Sequence, residues 1–298
     1  MPRIALLTLE DRTGYVIDDE IPVAELLRRG FDAAEVPWSD PGVDWSTYDL
    51  VIVRTTWDYH LRPDEFLEVL ARIEASGTIL ENPRALVVWN LDKRYLRELE
   101  AQGVSIVPTV WGDGGAAKDF TALFAQLGHQ EIVVKPVVSA NAVDTFRLRA
   151  PLTDDQAAEL VRTFADRSWL AQPFVQSVLD EGELSVFYFD GRLSHAIRKV
   201  PMSGDFRVQE EHGGSIADVP ITDELRRAAD HVIHTVRPVP FQARVDLVRM
   251  ADGTLALMEL EMIEPSLYFR THAEAPANFA RAIEAVLLRH RQNVNARY

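Results

Sequence analysis

Arg244, Asp246, Glu259 and Glu261 fall in one segment, ARVDLVRMADGTLALMELE, that is otherwise rich in Val, Leu, Met and Ala. Asp252-Gly253 in its middle is a hairpin turn signal, so the two arms run back along each other. Register can then bring Asp246 and Glu259 face to face, and period-two alternation turns Arg244 and Glu261 to the same side. Three carboxylates on one face repel unless cations sit among them. Carboxylate oxygens suit Mg²⁺, which keeps its remaining positions for water and substrate phosphates. A fixed guanidinium beside them suits an acyl or phosphoryl oxyanion. The pattern predicts metal ligands at Asp246, Glu259 and Glu261, with Arg244 as a catalytic group.

Other residues extend the constellation. Lys135 ends the apolar run EIVVKPVV, and Lys93 opens a helix after Trp89-Asn90. Beside metal carboxylates, two such lysines read as phosphate contacts. Arg198 and Lys199 close HAIRKV on opposite faces, and Arg198 is the candidate for a further phosphate or carboxylate contact. His195, on the face opposite Arg198, reads as structural. Arg54 and Asp58 follow a buried strand in VIVRTTWDY, where ligand loops gather. Arg54 is expected to meet a substrate carboxylate and Asp58 an amino group, with Trp57 and Tyr59 open to packing or recognition. Ser266 and Tyr268, just past the hairpin, would face an acyl group. His212-Gly213-Gly214 reads either as a mobile loop over the substrate or as a plain turn. No dedicated general base stands out.

The elements that position these residues follow from periodicity. Residues 3–9 and 50–56 and the short TIL run are strands, and residues 19–29 and 62–75 are helices. That βαβ alternation implies a parallel sheet covered by helices. A helix over residues 91–102, the strands SIVPTV, EIVVKPVV and WLAQPFV and a helix over 153–164 come next. From Glu183 the chain turns mostly β, with hairpins at Asp190-Gly191 and Asp252-Gly253 and helices over 222–236 and 276–289. The expected class is α/β and α+β, divided into an α/β substrate lobe (1–85), a small mixed lobe (86–170) and a larger lobe with the metal site (171–298).

Composition narrows the function. The 298 residues are 47% hydrophobic and 26% charged, as in ordinary globular chains. No apolar run approaches the roughly 18 residues of a membrane span, and the first residues read as a strand rather than a leader. A formal charge of −15 repels nucleic acid and anionic membranes. With no cysteine there is no thiolate chemistry, and a cytoplasmic setting is expected.

The order of these pieces resembles the ATP-grasp superfamily. The resemblance covers roughly residues 86–298, to which the first lobe would add a pre-ATP-grasp parallel sheet. It implies that Lys93 and Lys135 contact ATP phosphates, that backbone at Phe174 and Val175 in Gln172-Pro173-Phe174-Val175 reads adenine, and that Glu183 binds ribose. It implies two Mg²⁺ ions at Asp246, Glu259 and Glu261, and makes Arg244 the contact to the transferred phosphoryl group. The interval from Asp246 to Glu259, and Pro265 closing EMIEP, are similar to those of D-alanine–D-alanine ligases and glutathione synthetases. Over the whole length, DWS, VIVRTTW, LDKRYL, QPFVQSV, FDGRLSHAI and MELEMIEPSL look closest to the O-ureido-serine cyclo-ligases of cycloserine biosynthesis. The loop after Lys135 departs from the family, with no glycine from Val137 to Thr145. It would be a stiffer lid, or one that uses the hydroxyls of Ser139 and Thr145. Arg207, in GDFRVQEEHGG, resembles the substrate-loop arginine of the glutathione synthetase and ribosomal-protein ligase branch.

The resemblance implies an ATP- and Mg²⁺-dependent ligase that turns a small, amino-acid-like carboxylate into an acyl phosphate for attack by an amine. That amine can lie on a second molecule or on the same one. A non-catalytic ATP-dependent sensor and a small-molecule kinase are the alternatives, and monomer and homodimer stay open.

Overall fold

The computed structural model describes residues 1–114, 119–139, 142–208, 210 and 213–296. Three sheets follow one another along it. The first joins β1 (Arg3–Thr8), β2 (Asp32–Pro37), β3 (Leu50–Thr55) and β4 (Ile79–Glu81) in the order β2-β1-β3-β4, all parallel. Parallel strands need crossovers, and α1 (Glu20–Arg28) and α2 (Pro63–Ala75) supply two of them. Pro63 opens α2, where its missing N–H costs nothing. β2 escapes periodicity because it is an edge strand, with Asp32 exposed and Glu35 half-buried among its apolar positions.

The residues that follow contain a break that matters. The single helix expected over 91–102 is two, α3 (Arg84–Leu91) and α4 (Tyr95–Ala101). Asp92 between them is extended, and its carboxylate accepts from the Arg94 N–H at 2.9 Å. The kink sets the Lys93 N–H on the Val137 carbonyl at 2.8 Å. Leu86, Tyr95, Leu96 and Leu99 of these helices pack into the core of the third sheet, not the second.

The second sheet is antiparallel, β5 (Val110–Gly112), β6 (Glu131–Pro136), β7 (Phe146–Arg149) and β8 (Trp169–Pro173), in the order β5-β8-β6-β7. α5 (Ala122–Leu127) and α6 (Asp154–Thr163) cover it, α6 starting on a capping box between Thr153 and Gln156. The strand expected at SIVPTV is only a bridge from Ile106 to Leu257, and the ladder starts at Val110. Pro108 has no N–H to donate, which delays the ladder.

After α7 (Ser177–Asp180) comes the third sheet: β9 (Glu183–Phe189), β10 (Arg192–Val200), β11 (Ser215–Asp218), β12 (Gln242–Arg249) and β13 (Leu255–Glu261). It is antiparallel in the order β11-β10-β9-β12-β13. α8 (Asp223–Thr235) packs on one face. α9 (Ala275–Asn295) packs on the other face and on α1, its Phe279 meeting Phe189 and Phe241, in one core that also takes in Ile4 and Ile52 of the first sheet.

Buried polar groups weld the first sheet to the third. Arg54 is 1% exposed and donates to Asp19 Oδ1 (2.7 Å), the Pro265 carbonyl (3.0 Å) and Gln242 Oε1 (3.2 Å). Asn82 donates to the carbonyls of Gln242 and Met262 and accepts from the Phe241 N–H. Among the described residues no helix is long and apolar enough to cross a membrane.

Candidate active site

Register gives the third sheet one apolar face and one graded face. Lys199 stands opposite Glu183, Asp246 opposite both Ser185 and Glu259, and Arg244 opposite both Phe187 and Glu261. Opposed residues share a side. At the α9 end that side carries Phe187, Phe189 and Ile197. At the other end it carries Glu183, Ser185, Lys199, Arg244, Asp246, Glu259 and Glu261, and here it floors an open cleft roofed by the second sheet.

Cations and carboxylates alternate across this floor. Arg244 grips Asp246 with Nε and Nη2 (3.0 and 2.9 Å) and reaches Glu261 Oε1 with Nη2 (2.5 Å). Lys199 Nζ lies 2.5 Å from Glu183 and 3.3 Å from Asp246, whose Oδ1 also accepts from Ser185 Oγ at 2.5 Å. Lys93 and Lys135 approach the two oxygens of Glu259 at 3.2 and 3.9 Å. Lys93 also donates to the Ser139 carbonyl at 2.8 Å.

The charges answer to this environment. Burial opposes ionisation of Asp246, but Arg244 and Lys199 outweigh it and hold the carboxyl low. Lys93 and Lys135 do the same for Glu259 against its burial. Lys135 is itself pulled down, by burial first and then by the like charge of Lys93, despite Glu259. Glu261 goes the other way, pushed up to about 7 by burial, with Asp246 and Glu259 adding to it and Arg244 opposing. Glu264, one turn of chain further on, rises to about 8 through burial and the charge of Glu261.

Among the described residues no three His, Asp or Glu side chains meet at one point. A Mg²⁺ ion does not need that, because one or two carboxylates plus substrate phosphates satisfy it. The donors fit. All are hard oxygens, and Glu259 and Glu261 face the cleft.

Most residues singled out from the sequence line this cleft: Lys93, Lys135, Ser139, Gln172, Phe174, Val175, Glu183, Arg207, Arg244, Glu259, Glu261, Ser266 and Tyr268. Asp246 lies just beneath, 2% exposed. Arg207 is bidentate to Asp205 at its rim. Thr145 of the glycine-free loop lines it too, while Ala140, Asn141 and His212 lie outside the described residues.

Three assignments are corrected. Arg198 stands opposite Leu184 on the other face of the sheet and is exposed, so Lys199 takes the inward place. Arg54 is spent on the seam between the sheets. Asp58 accepts from Trp38 Nε1 at 2.7 Å and pairs with Arg62. Phe174 lines the cleft, but its N–H donates to the Glu131 carbonyl at 2.9 Å. His195 is buried, bonded to the Leu267 carbonyl and stacked on Phe187 at 4.2 Å.

Sequence reasoning missed Lys199 and Glu264 as cleft residues. Alternation in HAIRKV puts Lys199 on the side of His195 and Ile197, but nothing in that segment says which side faces the cleft. For Glu264 there was only its nearness to the hairpin end.

Residues 4–82 match the N-terminal domain of D-cycloserine synthetase DcsG, and residues 116–240 the ATP-grasp domain of prokaryotic glutathione synthetase. The cycloserine biosynthesis protein DcsG of Streptomyces lavendulae is 36% identical, over 94% of this chain and 97% of its own. The crystal structure of D-cycloserine synthetase DcsG superimposes with a TM-score of 0.80 at 30% identity, covering 96% of this chain and 99% of that one. The ATP-grasp ligase PsnB, solved with minimal precursor, Mg and ADP, shares the fold (TM-score 0.64, 16% identity, 95% and 98% covered). With full-length similarity joined to this cleft, the chain belongs to the ATP-grasp ligases, in the family of DcsG, and is an ATP-dependent carboxylate–amine ligase.

Proposed function

We propose that the graded face of the third sheet holds ATP and activates the carboxylate of a small amino-acid-like substrate for ring closure by a nitrogen of the same molecule. The observation that carries activation is the cleft's run of four cations, Lys93, Lys135, Lys199 and Arg244, each set against a carboxylate. When polyphosphate enters, the lysines facing Glu259 can turn to it, and the freed carboxylate needs a new cation. Mg²⁺ at Asp246, Glu259 and Glu261, two ions in all, would neutralise phosphate charge as the γ-phosphoryl group moves.

Lys93 and Lys135 act on the phosphates as point charges. Because the Phe174 N–H is committed to β6 and successive peptide groups alternate in direction, the Pro173 carbonyl and Val175 N–H are the pair that would read adenine. Glu183 would bind ribose, and Ser139 would contact the phosphates. The substrate carboxylate attacks the γ-phosphorus in line, giving an acyl phosphate and ADP. Nitrogen then displaces phosphate while Arg244 stabilises the tetrahedral oxyanion. Arg207 at the rim, with Ser266 and Tyr268, would position the substrate. The full-length likeness to a cycloserine synthetase supports closure within one molecule. The same reading places the enzyme in the cytoplasm, with small molecules as its partners, and divides the chain near residues 85 and 170.

The test is ADP release over a panel of amino acids, with hydroxylamine present to intercept the acyl phosphate. A hydroxamate forming with ADP is the expected result, whereas a stable phosphorylated product would mean a kinase. Glu259→Gln should raise the Mg²⁺ concentration needed for half-maximal turnover. Undiminished wild-type turnover in excess chelator would sink the metal assignment.

A further inference from the structure

We infer that Glu264, framed by Tyr59, Trp57 and Tyr15, is the specificity group that holds the ammonium of an amino-acid substrate. This rests on the ligase reading above and adds what the acid must carry. Glu183, Glu259 and Glu261 all line the cleft and each has a lysine or arginine within ion-pair distance. Glu264 lines it as well, and among the described residues no such contact reaches it, Lys93 acting on it only from further off. A half-buried carboxyl with no cation in contact resists ionisation until a partner arrives from outside, and burial holds this one up.

The surroundings suit a cation of modest size. The Tyr59 hydroxyl hydrogen-bonds to the Glu264 carboxylate, fixing its direction. The Trp57 indole N–H donates to the main-chain carbonyl of Glu264 itself at 2.9 Å, which pins the ring beside it. Tyr15 packs on Trp57 with ring centroids 5.2 Å apart, and all three aromatic residues line the cleft. Aromatic faces attract ammonium groups, and a carboxylate among them adds a charge-assisted hydrogen bond.

The placement also fits the reaction. Glu264 lies three residues past Glu261, close enough to feel its charge, so an ammonium held here sits beside the end of the floor where Arg244 meets Glu261. Divided between two lobes, the corner forms only when the segment Trp57–Tyr59 packs on the third sheet. Asp58, which the sequence suggested for this duty, is taken by Trp38 and Arg62.

ADP release separates the possibilities when D- and L-α-amino acids, O-substituted serines among them, are each run beside the matching 2-hydroxy acid. Wild type should favour its best amino acid over the hydroxy acid by at least about tenfold in kcat/KM. Glu264→Gln should lower kcat/KM for the amino acid about 10- to 100-fold, chiefly through KM, and leave the hydroxy acid nearly unchanged. Tyr59→Phe should move the ratio the same way by less, and carries the test if Glu264→Gln does not fold. Affinity for a non-hydrolysable ATP analogue should hold in both variants. An unchanged ratio in both variants overturns the inference, as does an equal loss on both acids with weaker analogue binding. Wild type that uses hydroxy acids as readily as amino acids overturns it too, but leaves the ligase reading standing. No ADP release with either class overturns both.

Discussion

Lys199 shows how much one buried ion can hold. It is 4% exposed, and its ammonium stands between Glu183 and Asp246. Burial and Arg244 work against its charge, yet the two carboxylates outweigh them and raise it. Removing one partner of a buried pair leaves the other charged and unpaired, at about 3–5 kcal/mol. Lys199→Met should therefore cost about that much in urea unfolding, and Lys199→Met with Glu183→Gln should recover part of it. A single variant within about 1 kcal/mol of wild type would mean that water reaches the carboxylates. The adjacent Arg198 should tolerate Arg198→Ala with little change, because it is exposed on the other face.

At the scale of elements, two groups on strands titrate in opposite senses. Glu81 ends β4 and is pushed up to about 7, by burial first and then by the charge of Asp190, with Arg289 opposing. An unfolded glutamate titrates near 4.5. Between those values the native state holds a proton that the unfolded chain has lost, so this group's stabilisation is full below pH 4.5 and fades as pH rises toward 7. His195, on β10, is pressed down to about 4 by burial. There the unfolded chain takes the extra proton, so its stabilisation is full above pH 6.5 and fades as pH falls toward 4. The opposed slopes separate in Glu81→Gln. That variant should match wild type near pH 4, gain on it up to pH 7 by about 1–3 kcal/mol, and stay ahead above that. Stability curves that keep a constant gap at every pH would remove Glu81 from the account.

Over the whole molecule, the seam decides which lobes behave as one. Arg54, Asn82 and Gln242 tie the first sheet to the third, and α9 shares its core with both. Unfolding of these two parts should be a single transition. Arg54→Met strands Asp19, which is 1% exposed, and should cost about 3–5 kcal/mol. It should leave the KM of the acid substrate near wild type at temperatures where the variant stays folded. A KM raised tenfold or more with little loss of stability would return Arg54 to the substrate.

What depends on period and turn chemistry could be read from the residues alone. The hairpin at Asp252-Gly253 and the alternation along its arms placed Arg244, Asp246, Glu259 and Glu261 on one face, because side-chain direction in a strand is a local property. Residue types set the hard-oxygen, phosphate-directed chemistry for the same reason. Where a parity choice depended on which face the rest of the chain covers, packing between distant segments settled it. α8 covers the face of Arg198 and the second sheet roofs that of Lys199, and neither fact is written in HAIRKV. The kink at Asp92, the seam that consumes Arg54, and the corner where Trp57 and Tyr59 meet Glu264 all join residues far apart in the chain. Their roles come from what the fold brings beside them, since a charged side chain acts according to the partner it meets.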